Sequence, residues 1–150
     1  MRIGEEIQQE KFNTELHKAH INIVYTASWL NLHATKLLKK YNISPQQFNI
    51  LRILRDMHPR PSTVKMLTER MLDKMSNASR LVEKLKQKGL VEREACHDDR
   101  RRVNVYITTQ GIELLNRATA EVEKSVETSL AALSREEAAH LNQLLDKVRG

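Results

Sequence analysis

A chain of 150 residues with 40% hydrophobic composition is long enough for a compact core, and its formal net charge of +6 favours a polyanionic partner. Its one cysteine excludes an intrachain disulfide and is typical of a reducing compartment. Because the start is too polar for a signal peptide and no apolar run is long enough to span a membrane, we expect a cytoplasmic protein without membrane partners.

Two helices are predicted in the first part of the chain. Between residues 12 and 41, apolar or small residues recur at steps of three and four without an internal glycine or proline, which indicates one long amphipathic helix. Ser44 and Pro45 then provide the N-cap and the first-turn proline of a second helix. Pro59 and Pro61 are expected to end it.

Two shorter helices follow in close succession. Ser62 is predicted to cap the third, and a break at Leu72 and Asp73 separates it from the fourth, for which Asp73 is a suitable N-cap. Gly89 is the expected stop of the fourth helix. Its buried face is predicted from the apolar positions Ala78, Leu81, Val82 and Leu85. Two short helices joined by a few residues are a helix-turn-helix candidate.

After the fourth helix the period of the apolar pattern changes to two. Residues 90–94 and 103–107 are therefore predicted strands of a hairpin. Thr108 and Thr109 are expected to cap another long helix, and Ser134 with Glu137 forms a capping box for the last one. The predicted fold is mainly α (α+β), with four helices, a hairpin and two further helices.

The polar face of the fourth helix suits the major groove of DNA, which a helix enters with one face while the other stays on its own domain. Asparagine can bond adenine, arginine can bond guanine, and serine can bond a base edge or a phosphate. The candidate DNA-binding residues of this helix are Ser76, Asn77, Ser79, Arg80 and Lys84. The alternative is the solvated polar face of an ordinary surface helix.

The hairpin loop concentrates charge at one point, because its sequence HDDRRRV at 97–103 places two carboxylates before three arginines. A β-loop with arginine at its tip can enter the minor groove, where the narrow walls concentrate negative potential. Asp98 and Asp99 can hold one arginine in a fixed rotamer while the others project. A solvated charged turn is the alternative.

The stretch from 67 to 111 resembles the MarR-type winged helix-turn-helix transcription regulators. It reads LTERMLDKMSNASRLVEKLKQKGLVEREACHDDRRRVNVYITTQG, with a recognition helix that ends in a KxGLVER-like phrase, a DRR wing and a T-x-x-G helix start. The surrounding helix order is similar as well. The resemblance implies a homodimer on a palindromic operator in double-stranded DNA, with Arg100 and Arg101 in the wing and Asp99 holding an arginine near its tip.

The terminal helices are expected to form a dimer interface. Their apolar stripes are too continuous to be left in water, and the basic middle of the chain offers them little core. The predicted regions are a dimerisation helix at 1–41, a winged helix-turn-helix lobe at 42–108 and dimerisation helices at 109–150. The alternative is that these helices pack on their own chain.

The resemblance also implies release from DNA by a small phenolic or lipophilic ligand, an oxidant or a metal. For a ligand, the candidate pocket is formed by Tyr25, Trp29 and His33, spaced at i+4 on the first long helix, together with Phe48. Plain packing of this aromatic row against the second helix is the alternative.

The sequence also bears on a redox site and on a metal site. Cys96 is a candidate redox site, because its cationic neighbours His97, Arg93 and Arg100 favour the thiolate, although the chain has no second cysteine to resolve an oxidised thiol. The histidines are scattered, so we predict no metal site and no cofactor.

The predicted function is sequence-specific DNA binding by a homodimeric transcriptional repressor that a small-molecule effector releases from a palindromic operator. An enzyme is not expected, because the sequence contains no phosphate-binding glycine loop, nucleophile motif or paired acid and base. Two alternatives are a non-specific architectural DNA-binding protein and a protein-interaction module without DNA binding.

Overall fold

The computed structural model describes residues 1–96, 98–99 and 101–150 and is mainly helical. Among these residues, no helix combines the length and the apolar character needed to cross a membrane. The elements in chain order are α1 (Ile3–Glu6), α2 (Glu15–Leu38) with a 3-10 turn (Lys39–Tyr41), α3 (Pro45–Met57), β1 (Ser62–Thr63), α4 (Val64–Arg70), α5 (Ala78–Gln87), β2 (Val91–Ala95), β3 (Val103–Ile107), α6 (Thr109–Ser129) and α7 (Arg135–Arg149).

The first long helix is slightly shorter than predicted. It begins after Thr14, whose side chain accepts a hydrogen bond from the backbone N–H of His17 at 3.1 Å. It ends through the 3-10 turn at Asn42, which adopts a left-handed conformation with φ 55°. The four-residue helix α1 was not predicted, because its single apolar turn carries no periodic signal.

Helix α3 is confirmed as predicted from its capping signals. Ser44 Oγ accepts from the N–H of Gln47 at 3.1 Å, and Gln47 Oε1 accepts from the N–H of Ser44 at 3.0 Å. Such a reciprocal capping box satisfies two N–H groups that the helix itself leaves unpaired. The side chains of Ile50, Leu51 and Leu54 lie at the centre of the core, with at most 1% exposure.

The predicted N-cap of α4 was wrong by one residue. Ser62 lies in strand β1, where it pairs with Val105 of β3 and is buried. Thr63 is the N-cap instead, and its Oγ1 accepts from the N–H of Met66 at 3.2 Å. Pairing with β3 holds Ser62 in extended conformation, which moves the start of the helix along the chain.

The predicted N-cap of α5 was also wrong. Asp73 Oδ1 accepts from the N–H of Met75 at 3.0 Å, which stabilises a local turn rather than a helix. The helix starts four residues later, where Asn77 Oδ1 accepts from the N–H of Arg80 at 3.1 Å. The segment 71–77 is therefore a non-helical connection, called the helix-turn-helix turn below.

The three strands form one antiparallel sheet in the order β1-β3-β2. Strand β3 has the predicted bounds, and β2 lies one residue later than predicted, with Val91 opposite Ile107. Gly89 ends α5 with φ 74°, which confirms the predicted stop. The two-residue strand β1 was missed because it is too short to show an alternating pattern.

One core joins the lobe to the adjoining parts of the long helices. Leu38 of α2 and Leu115 and Ala118 of α6 are fully buried in the same cluster as the apolar faces of α3, α4 and α5. Lys40 Nζ lies 2.8 Å from Glu121 Oε2 and connects the end of α2 to α6. The first turns of α6 are thus packed as part of the lobe.

Helix α7 is different, because it has no buried residue in this chain. The predicted capping box is present, with Ser134 Oγ accepting from the N–H of Glu137 at 3.1 Å. Its apolar residues Leu141, Leu144 and Val148 are 41%, 47% and 71% exposed. These side chains lie on one stripe of the helix and leave an apolar surface in the single chain.

Candidate DNA-binding surface and ligand cavity

Helix α5 has the two faces that the sequence predicted. Ala78, Val82 and Leu85 are buried at 3%, 0% and 0% exposure and hold the helix on the lobe. On the opposite side, Arg80 and Lys84 are exposed one turn apart. Two cations at this spacing project together from a rigid element and are available to a polyanion.

Another cationic side chain near α5, that of Lys88, has structural partners. Lys88 Nζ donates to Gln47 Oε1 at 3.2 Å and to the carbonyl oxygen of Asn42. Burial lowers the pKa of Lys88, and the charge of Lys84 lowers it further. Lys88 therefore connects the end of α5 to the start of α3, whereas Lys84 stays on the exposed surface.

Two predicted contact residues have roles in the local structure. Asn77 Oδ1 is engaged as the N-cap, so the two-bond contact with adenine is not available while the cap is formed. Ser76 is half-buried, and its Oγ is closed off from solvent. Both residues line a shallow depression of about 390 Å³ together with Arg80 and Lys84.

The wing consists of β2, β3 and the loop at 96–102, and its described part is held by backbone hydrogen bonds. The N–H of Cys96 donates to the carbonyl of Arg102 at 3.0 Å, and the N–H of Arg102 donates to the carbonyl of Asp99 at 3.0 Å. Arg101 and Arg102 are exposed. The predicted positions His97 and Arg100 lie outside the described residues.

Asp99 contacts the backbone of the wing, and its predicted hold on an arginine side chain stays a prediction. Its Oδ1 accepts from the backbone N–H of Arg101 at 2.9 Å. In the described part of the chain, neither Asp98 nor Asp99 forms an ion pair with an arginine. An aspartate two residues before a free N–H forms this kind of turn readily, so the carboxylate fixes the backbone at Arg101.

The residues around Cys96 give the redox hypothesis little support. Its thiol is half-buried, and Arg93 is paired with Glu83 of α5 at 2.7 Å. The hypothesis stays a prediction, as does the absence of a metal site. Over 1–96, 98–99 and 101–150, no three His, Cys, Asp or Glu side chains are grouped around a potential metal position.

A cavity of about 660 Å³ lies between α2, α3, α6 and the helix-turn-helix turn. The predicted pocket residues His33 and Phe48 line it. The remaining lining is mostly apolar and includes Ala27, Leu30, Ala34, Leu37, Leu38, Pro45, Leu72, Val122, Val126 and Leu130. Its size is within the range of small-molecule sites.

Tyr25 and Trp29, which were predicted for the same pocket, do not line this cavity. The hydroxyl of Tyr25 donates a hydrogen bond to Glu6 Oε2 at 2.8 Å, and this hydrogen bond raises the pKa of Tyr25. Trp29 lies beside a second depression against α6, with its ring 4.4 Å from that of His33. Each step of four residues turns about 40° around a helix, so the row winds away from the cavity.

Two polar residues of the cavity wall were missed from the sequence. Asn49 is 5% exposed and Arg52 is half-buried, and both line the cavity from α3. Together with Pro45 and Phe48 they lie at i, i+3, i+4 and i+7, on one face of the helix. That spacing was the available signal, since it places an amide and a guanidinium on an inward face.

The sequence is similar to known regulators of transcription. The profile of the MarR family matches residues 41–102. The HTH-type transcriptional regulator MgrA of Staphylococcus aureus is 34% identical over 116 residues, which cover 77% of this chain and 76% of that protein. These relatives regulate transcription and are not enzymes, in agreement with the sequence prediction.

The fold is similar to solved structures of the same kind. A mutant MarR from E. coli complexed with operator DNA has a TM-score of 0.78 and 24% identity, covering 93% of this chain and 99% of that chain. The organohalide-sensing transcriptional regulator RdhR in its 2,4-dichlorophenol-bound form has a TM-score of 0.83 and 23% identity, with 94% and 85% covered. The predicted winged helix-turn-helix fold is confirmed.

Proposed function

The chain belongs to the MarR family of transcriptional regulators, and on this premise we propose that it is a homodimeric repressor of a palindromic operator, released by a small-molecule effector. The main support for the proposal is the arrangement of cations on the surface of the lobe. The lobe presents Arg80 and Lys84 on the exposed face of α5 and Arg101 on the adjoining wing. A helix and a basic β-loop on one lobe match the major and minor grooves of one duplex.

We assign distinct roles to the two parts of this surface. Ser79, Arg80 and Lys84 contact base edges and phosphates in the major groove, with Ser76 and Asn77 fixing the start of the helix beside them. Arg101 enters or borders the minor groove, and we assign Arg100 to the wing with it, as the resemblance of the sequence implies. Asp99 supports this contact by holding the backbone of Arg101.

Replacing Arg101 with alanine is expected to weaken binding to all duplexes and to reduce the salt dependence of binding by roughly one phosphate contact. The fold is expected to stay intact, because the side chain is exposed. Fluorescence anisotropy at several salt concentrations measures both effects, with Arg102→Ala as the neighbouring comparison. Unchanged affinity in Arg101→Ala would contradict the wing assignment.

The dimer is proposed from the exposed apolar side chains of the long helices. Besides those of α7, Leu16 and Val24 of α2 are 84% and 57% exposed, and Val126 of α6 is 48% exposed. Exposed apolar surface of this kind on long helices marks an interface, and a symmetric pair of chains matches a palindromic operator. We therefore assign 1–41 and 109–150 to the interface and 42–108 to DNA binding, with the start of α6 shared.

Replacing Leu144 with glutamate is expected to convert the dimer to a monomer and to abolish the preference for a palindrome over a half-site. A charge at this stripe is costly in an apolar interface but tolerated in one chain, where Leu144 is 47% exposed. Sedimentation velocity gives the oligomeric state. The matched control is Gln143→Glu, which adds the same charge on the polar side of α7 and leaves the dimer intact.

The effector is proposed to occupy the cavity between α2, α3 and α6. Its wall is mostly apolar and includes Leu72 and Asp73 of the helix-turn-helix turn, so a ligand there contacts the segment that positions α5. The dichlorophenol-bound state of the similar regulator supports a small lipophilic ligand. Release of DNA on ligand binding is the behaviour expected of a repressor that responds to such a compound.

The proposal is tested by selecting bound duplexes from a random DNA pool and measuring their affinities. We expect a palindromic sequence bound at least on the order of 10³ times more tightly than random DNA, with a steep loss of affinity as salt increases. Equal affinity for the palindromic and the random duplexes would indicate a non-specific architectural DNA-binding protein. Absence of salt-dependent DNA binding would show a protein-interaction module.

A further inference from the structure

Asn49 has two polar ends, and the structure gives them different surroundings. Its Oδ1 accepts a hydrogen bond from the backbone N–H of Leu72 at 2.9 Å. This bond fixes the orientation of the amide, because a backbone N–H can only donate. Its Nδ2 is buried and has no hydrogen-bond partner among the described residues. An unpaired buried donor is energetically costly, so an acceptor that reaches it is favoured.

The surroundings of Asn49 indicate what kind of acceptor the cavity takes. Arg52 lies one turn further along α3 in the same wall, and His33 lines the cavity from α2. Asp73 is the carboxylate of the lining, at the edge formed by the helix-turn-helix turn. The rest of the wall is largely apolar. A suitable ligand is an apolar ring that carries an accepting oxygen, as in a phenolate or a carboxylate. Its ring matches the apolar wall, and its oxygen accepts hydrogen bonds from the donors Asn49 and Arg52 of α3.

The hydrogen bond between Asn49 Oδ1 and Leu72 connects Asn49 to the segment that precedes the DNA-binding helix. Leu72 is the second residue of the helix-turn-helix turn, and Oδ1 of its neighbour Asp73 accepts from the N–H of Met75 at 3.0 Å. The carbonyl of Asp73 accepts from the N–H of Ser76 at 3.1 Å, directly before the N-cap of α5. Together with the cap that Asn77 provides to Arg80, these hydrogen bonds follow one another along the backbone from Leu72 to the first turn of α5.

We infer that Asn49 couples occupancy of the cavity to the placement of α5, with a phenolate or carboxylate ligand as the signal. The inference rests on the proposed function and names the residue that transmits its regulation. Because Nδ2 is buried, an acceptor in the cavity reaches it only when the carboxamide rotates. That rotation takes Oδ1 away from the N–H of Leu72, and the turn that positions α5 loses its connection to α3.

The test uses the 150-residue chain, the selected operator duplex and 2,4-dichlorophenol as the probe. In the wild type, saturating probe is expected to weaken DNA binding on the order of 5- to 150-fold. In Asn49→Leu, which keeps the side-chain volume, the probe still binds the cavity by calorimetry but no longer changes DNA affinity. If Asn49 had a merely structural role, the variant would bind DNA more weakly than the wild type by the same factor with and without probe. The probe would then still weaken DNA binding by the wild-type factor, and that result would overturn the inference.

Two controls make the result specific. Ser129→Ala changes the cavity wall on α6, away from the turn, and is expected to keep the wild-type ratio. Dichlorobenzene, which lacks the hydroxyl, is expected to leave DNA affinity unchanged in the wild type; release equal to that by the phenol would overturn the role of the acceptor. If thermal unfolding shows that Asn49→Leu is misfolded, Asn49→Ala replaces it with the same expectation.

The outcomes separate this inference from the proposed function. A wild-type protein that does not select a palindrome, or that keeps its DNA affinity with bound probe, overturns the proposed regulation and the inference with it. Release of the wild type and equal release of both Asn49 variants overturns the inference alone. Complete loss of probe binding in both variants also overturns it, because Asn49 would then serve binding and not transmission.

Discussion

Replacing Arg80 with alanine is expected to weaken operator binding by about 1 to 3 kcal/mol and to relax discrimination at one base pair. Arg80 is exposed in the first turn of α5, on the face opposite Ala78 and Val82. An arginine at such a position bonds guanine through two parallel hydrogen bonds, and the truncated side chain makes neither. Anisotropy titrations with the selected operator, and with duplexes altered at each G·C pair, measure both effects.

The matched control for this prediction is Arg80→Lys. Lysine keeps the positive charge but not the planar pair of donors, so it is expected to retain affinity for random DNA while losing discrimination at the same base pair. If both variants discriminate all base pairs as the wild type does, Arg80 does not read the sequence. The role of α5 as a recognition helix would then rest on Ser79 and Lys84.

Replacing Gly111 with alanine is expected to destabilise the protein by roughly 3 kcal/mol or more, since the added methyl group overpacks a rigid site. A Cβ at this position would lie 2.3 Å from the carbonyl oxygen of Leu90 and 2.8 Å from Ile107 Cγ1. The oxygen cannot easily move away, because it accepts a hydrogen bond from the N–H of Thr108 at 3.0 Å. Urea unfolding followed by circular dichroism gives the loss of stability.

A neighbouring substitution distinguishes this steric effect from a change in helix propensity. Gln110→Ala alters an exposed residue in the same turn of α6 and is expected to change stability by no more than about 0.5 kcal/mol. An unfolding midpoint of Gly111→Ala equal to that of the wild type would show that α6 packs less closely on Leu90 than the structure indicates.

Local signals of the sequence predicted most of the helices and the hairpin correctly. The N-cap at Ser44 followed by Pro45, the stop at Gly89 and the alternation in 103–107 all depend on residues close together in the chain. The same is true of the exposed positions of Arg80 and Lys84, which follow from the buried spacing of α5. Such features are visible in the sequence because their partners are at most a few residues away.

The errors at the helix starts have a different origin. The predicted N-cap of α5, Asp73, is chemically suitable, and so is Asn77, which caps the helix in the structure. The N–H of Leu72 is bound by Asn49, 23 residues earlier in the chain, and this contact lies beside the turn in which Asp73 is used. Similarly, pairing of Ser62 with Val105 transfers the cap of α4 to Thr63.

By itself, the sequence determined the order of the longer helices and the hairpin, the two faces of α5, the basic wing and the family, because each is encoded in local spacing or in a contiguous motif. Only the tertiary structure decided the cavity, since its wall combines α2, α3, α6 and the helix-turn-helix turn. A row such as Tyr25, Trp29 and His33 is regular in sequence but winds around its helix. Which side chains share a cavity depends on the packing angles of helices far apart in the chain, and no local pattern contains those angles.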